Sequence, residues 1–272
     1  MVDLQYVKKR KRKRIAAIVT ACGSVVTAVF VIVAFLGNQV GTFTVNLKQN
    51  NVKLSLSDNS TFTEPTSYLR VRDIQRMDSY CYQSFKDLSG NLNFDKIDSE
   101  LYTYEHFART NPQTGEIIAL PFFKYTFFVR NEGEVPARFT MNINILENLP
   151  DPTTKRTIDG LIRLIVIENG VPGKVYARPS TDSTHYDPET GEQTNLEYID
   201  GDPTSEIYEG LAEPFVTQTL MQTITVTNFN VQEVTRYTIL YWLEGHDYPE
   251  GYYEQPKDAK LKLGVEINAY EN

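Results

Sequence analysis

Seven consecutive basic residues, Lys8 to Arg14, run directly into twenty-two residues, Ile15 to Leu36, that carry no charge. No other feature constrains the chain as strongly. An apolar helix of that length spans about 33 Å, which matches a hydrocarbon core of about 30 Å. The basic block holds the N-terminus on the cytoplasmic side and sends the rest across. The expected organisation is a basic cytoplasmic tail (1–14), a transmembrane signal anchor (15–36) and an extracellular domain (37–272). A cleaved signal fits less well, because secretory apolar cores run to about 7–15 residues and end at a small-x-small site. The exit Ala34-Phe35-Leu36-Gly37-Asn38 offers none, Val26-Thr27-Ala28 is a weak one whose use would leave Val29 to Leu36 exposed, and Val19-Thr20-Ala21-Cys22 lacks the polar linker that follows a lipoprotein cysteine.

Charge divides at the same junction. Beyond Arg14 the chain holds 20 Lys+Arg against 34 Asp+Glu, a net −14. Such a surface repels nucleic acid, so nucleic acid is excluded as a partner, while the basic tail suits an anionic inner leaflet. With Cys22 in the span, Cys81 is the only exterior thiol, and no internal disulfide can form. That favours a bacterial surface over a eukaryotic exterior. Within Ser79-Tyr80-Cys81-Tyr82 a small buried hydrophobe is expected at Cys81.

The exterior portion reads as all-β. Alternation recurs at Phe43/Val45/Leu47, Val52/Leu54/Leu56, Phe123/Tyr125/Phe127/Val129, Phe139/Met141/Ile143/Ile145 and Leu261/Leu263/Val265/Ile267/Ala269. Period two places each set on one face of a half-buried strand. The denser runs Leu161 to Ile167 and Tyr237 to Leu243 predict central strands, with Trp242 buried between sheets. Asn131-Glu132-Gly133-Glu134 predicts a hairpin turn, and Asn169-Gly170 with Pro172-Gly173 another. Two stretches read as loops, Asp87 to Pro121 and Pro179 to Pro214. The second lies within Pro179 to Thr235, which has eleven carboxylates and no Lys or Arg.

Those carboxylates, including Asp182, Asp187, Glu189 and Glu192, raise a calcium hypothesis, best placed at Asp200-Gly201-Asp202 with Glu206. The spacing departs from the twelve-residue calcium-loop pattern, so a solvated acidic loop is the expectation. Zinc-protease, nucleophile-elbow, phosphate-loop and paired-cysteine motifs are absent from the sequence. His106, His185 and His246 lie far apart, and no catalytic residue, metal or cofactor is expected. Tyr248, Tyr252 and Tyr253 cluster between two strands, where rings could stack on sugars or a partner.

Tyr125-Thr126-Phe127-Phe128-Val129-Arg130-Asn131-Glu132-Gly133-Glu134 resembles the "YTFyvkNtGe" strand and turn of bacterial surface proteins related to the camelysin/TasA group. Leu161 to Val166, Tyr237 to Gly245 and the final strand Lys260 to Ala269 are similar to segments of uncharacterised Gram-positive relatives. The resemblance spans Val40 to the C-terminus and implies a jelly-roll sandwich at the cell surface, with fibre or matrix roles. It departs in the anchor, since those fibre proteins are exported with cleavable signals. Camelysin's attributed metalloprotease activity has no motif here to carry it. The expected role is therefore structural, adhesive or accessory, with an envelope protein or matrix as partner. A glycan- or peptide-binding ectodomain is the alternative, and a surface hydrolase comes third.

Overall fold

The protein was analysed as a computed structural model, which describes residues 42–72, 74, 77–180, 185–204, 206–245 and 259–271. The basic tail, the apolar run, Asp182, His246 and the tyrosines at 248, 252 and 253 lie outside the described residues. No described helix is long and apolar enough to cross a membrane.

The described chain is all-β, as its alternation requires. It opens on β1 (Phe43–Asn50), β2 (Leu54–Ser57), β3 (Tyr68–Val71) and the two-residue β4 (Ser79–Tyr80). A long excursion follows, with 3₁₀ turns at Tyr82–Phe85 and Tyr104–Phe107 and a small hairpin of β5 (Arg109–Thr110) and β6 (Ile117–Ala119). Next come β7 (Phe122–Asn131), β8 (Ala137–Leu149), β9 (Ile162–Glu168) and β10 (Val171–Ala177). The acidic stretch carries β11 (His185–Tyr186), β12 (Gln193–Thr194) and β13 (Glu213–Pro214). Then follow β14 (Leu220–Phe229), β15 (Val234–Glu244) and β16 (Lys260–Glu271).

Two large sheets result. The first runs β14-β8-β16-β1-β3, and the second β13-β10-β9-β15-β7-β2, with β4 beside the end of β15. β1 lies inside its sheet, parallel to β16 from Phe43↔Leu263 to Asn50↔Tyr270 and antiparallel to β3. Inward rows from both sheets share one core, which includes Phe43, Val45, Phe123, Phe127, Phe139, Met141 and Ile267. Phe43 meets Phe123 at 5.1 Å between ring centroids, and Phe139 meets Tyr237 edge-on at 6.5 Å. Each such side chain, once buried, stabilises the fold by about 1.5–3 kcal/mol.

The second sheet is buried on both faces. Its outer face carries Phe122, Ile165, Ile167, Leu240 and Trp242, and the excursion after β4 covers them with Tyr82, Phe85, Phe94 and Ile97. This second core explains the unbroken apolar runs of β9 and β15. It also corrects the expected place of Trp242, whose ring packs under the covering layer and not between the sheets. The stretch expected as a loop at Asp87 to Pro121 is thus a structural layer.

Two turns differ from expectation. Asn131 to Glu134 reverses the chain, but β7 and β8 belong to different sheets, so the turn is a corner and not a hairpin. Asn131 builds it: its Oδ1 accepts from Gly133 N at 2.9 Å, and its Nδ2 donates to Val135 O and Phe229 O. Asn169-Gly170 does turn, with φ of 50° and 89°. Pro172 and Gly173 instead sit within β10, where the register shifts between Pro172 and Val175. A bulge tolerates a proline that cannot donate to a ladder. β14 has no counterpart in the sequence reading, because two register shifts and half-buried Ile224 and Val226 blur its alternation.

Candidate functional site

A cleft of about 410 Å³ opens beside the edge of the sandwich. It is lined by Arg70, Val71 and Arg72 at the end of β3, Lys124 to Thr126 on β7, Tyr102 to Tyr104, Asp58 and Glu100. β2 pairs only with Phe128 to Asn131, so the half of β7 below it has no strand on that side. The cleft occupies the gap.

Its floor is a buried polar network. Lys124 is 2% exposed, and its Nζ donates to Ile97 O at 2.9 Å and to Ser99 O. Thr126 Oγ1 meets Thr238 Oγ1 at 2.8 Å, Thr238 donates to Asp98 Oδ1 at 2.7 Å, and Arg236 pairs with the other Asp98 oxygen. These bonds tie the covering layer to the second sheet. At the rim, Glu100 accepts from both the amide and the hydroxyl of Ser60, at 2.6 and 2.7 Å.

The rim cations differ from the floor. Among the described residues every other arginine is engaged with a carboxylate, a ring or another partner. The Arg70 and Arg72 side chains have no ion pair, hydrogen bond or ring contact among the described residues, and both are exposed. Arg70 lies on β3 and Arg72 one residue past its end, and both line the cleft.

Burial pushes the Lys124 ammonium down from its ordinary 10.5 to about 8, with Asp98 opposing the shift and Arg236 adding to it. The native state then releases this proton near pH 8, whereas the unfolded chain keeps it until about 10.5. The unfolded state binds more protons in that window, so stability should rise with pH across it. Burial raises Tyr125, Tyr237 and Tyr241 above their ordinary 10.0. Above pH 10 the native state therefore keeps protons that the unfolded chain loses, and stability should fall. Denaturation midpoints from pH 7 to 11 should pass through a maximum between about pH 8 and pH 10. Lys124→Met should flatten the rising limb and leave the falling one.

Among the described residues, the carboxylates and histidines singled out in the sequence do not converge on one site. Asp200 is fully buried and accepts from Gln83 N at 2.9 Å. Asp202 accepts from Thr204 N at 2.7 Å within its own loop, and Glu206 is exposed. Asp187 caps its own turn at Glu189 N, while Glu189 and Glu192 are exposed. His106 Nδ1 lies 3.1 Å from the Thr103 amide N, whereas His185 Nδ1 lies 2.9 Å from Leu196 O. No group of three or more metal-ligating side chains occurs among the described residues. Cys81 is half-buried just before a 3₁₀ turn, with its Sγ 3.6 Å from Ser84 Oγ. Burial, together with Asp200 and Glu244, pushes its thiol up, away from the reactive thiolate.

The acidic stretch is held instead by an arginine on β9. Arg163, 1% exposed, donates to Tyr198 O at 2.8 Å and approaches Glu197 at 3.5 Å. Burial raises the Glu197 carboxyl against the pull of Arg163. Arg70 and Arg72 were open to sequence reasoning as cations two apart in Tyr68-Leu69-Arg70-Val71-Arg72. No local signal, however, joins them to Asp58, Tyr102 or Lys124. No protein-family model matches the sequence, and no curated protein matches it.

Proposed function

We propose that this chain is a single-pass cell-surface protein with residues 1–14 inside, 15–36 as a signal anchor and 37–272 outside. In this reading the sandwich is jelly-roll-like and non-catalytic, and it serves an adhesive or accessory role toward an envelope or matrix partner. The interleaving of early and late strands supports the jelly roll, with β16 between β8 and β1 in one sheet and β15 between β9 and β7 in the other. The resemblance to Gram-positive surface proteins of the camelysin/TasA group agrees with it.

One observation carries the functional part. Arg70 and Arg72 stand unpaired at the rim of a cleft whose floor groups are already bonded to one another and to backbone. Lys124, Asp98 and Thr238 are committed to the fold, while the rim cations are free to hold an anion. Two free cations side by side suit the binding of an anionic ligand.

Deleting residues 37–272 while keeping the anchor should reduce attachment of the cells to one another or to their matrix under flow, with growth rate unchanged. Normal attachment, or release of soluble fragments from envelope material by the purified chain, would contradict the reading.

A further inference from the structure

The cleft's lining is mixed in a way that narrows its ligand. Arg70 and Arg72 bring two guanidinium forks to the lining from one segment, and a fork matches a carboxylate in a bidentate pair. Asp58 and Glu100 stand among the same lining residues, with the Thr103 hydroxyl. A bare anion would be repelled by those two carboxylates. A ligand that carries one anionic group and is rich in hydroxyl donors elsewhere satisfies both kinds of lining group. Glu100 is held in place by Ser60, and a carboxylate has lone pairs left after two such bonds.

The aromatic residues select the shape of the ligand body. Tyr102 is 36% exposed and is braced edge-on by His106 at 5.5 Å, so its ring is presented and held. Tyr104 and Tyr125 complete the wall. A pyranose ring has an apolar face that packs on such rings and a hydroxyl edge that meets Asp58, Glu100 and Thr103. The volume is that of a compact ligand site. An extended peptide added to the edge of β7 would need an open groove, yet Phe122 to Phe127 are buried except for half-buried Tyr125.

We propose that the cleft takes an acidic sugar, with its carboxylate on Arg70 and Arg72 and its ring against Tyr102. This rests on the reading of the chain as a surface binder and names the chemistry it would bind. Over a domain of net −14, the paired cations also give an acidic glycan a local attraction that the remaining surface denies it.

Calorimetric titration of the full chain in lipid nanodiscs with trigalacturonate tests the proposal, alongside neutral trigalactose, tetraglutamate and inorganic phosphate. Binding of trigalacturonate is expected, weakened about tenfold or more by Arg70→Gln with Arg72→Gln, as for loss of a charge-assisted pair. Arg70→Lys with Arg72→Lys should recover part of the affinity, and Tyr102→Ala should weaken binding with the melting temperature unchanged. Equal binding of trigalactose, or an unchanged affinity in the double glutamine variant, would overturn the proposal. Tighter binding of tetraglutamate would replace the sugar by an acidic peptide, and equal binding of phosphate would leave a site for any anion; either overturns the sugar. None of these results touches surface attachment, which the deletion test decides separately.

Discussion

Trp242→Ala should lower the unfolding free energy by about 3–5 kcal/mol, the usual loss for a buried large aromatic. Trp242 is fully buried, stacked on Tyr82 at 5.7 Å and meeting Phe85 edge-on at 5.2 Å. Its Nε1 donates to Glu244 at 3.2 Å, and Glu244, 1% exposed, also accepts from Gly245 N at 2.7 Å. Truncation leaves a cavity beneath the covering layer and strips a donor from a buried carboxylate. A domain's whole stability is about 5–15 kcal/mol, so the melting temperature should fall by on the order of 10 °C. Thermal denaturation followed by circular dichroism checks this. An unchanged transition would mean that the layer after β4 is not packed on the second sheet.

Val45→Pro should be nearly as damaging, costing about 3 kcal/mol or more. Val45 is fully buried and lies in register with Val265 on one side and Leu69 on the other. With a neighbour on each side, its amide has a ladder partner whichever way it points, and proline removes that donor. Position decides the penalty, since Pro172 is accommodated at a bulge in β10. Chemical denaturation should show a lower midpoint for Val45→Pro and a milder change for Val45→Ala. Equal, small effects would contradict the interior placement of β1.

How far the sequence could be read follows from what each signal encodes. Phe43/Val45/Leu47 and Phe139/Met141/Ile143/Ile145 alternate because one face meets a core, and each is a strand with those residues inward. Alternation does not say which sheet a strand joins. Asn131 to Glu134 fixes a reversal through local bonds of Asn131, yet the partner of β7 is β15, more than a hundred residues on. The dense run at Tyr237 to Leu243 signalled cover on both faces without naming the cover. That cover comes from Phe85, Phe94 and Ile97, set among turn residues where no periodicity marks them. The cleft was harder still to read. Its lining is gathered from four separate segments, and the property that distinguishes Arg70 and Arg72, the lack of a partner, exists only in three dimensions.

The proposed surface role of the cleft requires the sandwich to face outward on the proposed anchor. Tags placed before Met1 and after Asn272, with protease added to intact cells, test this most directly. The expected result is loss of the C-terminal tag and survival of the N-terminal tag on a small, membrane-bound fragment. A C-terminal tag that resists protease until the cells are broken, or a domain recovered in the medium with its new N-terminus near Val29, would contradict it.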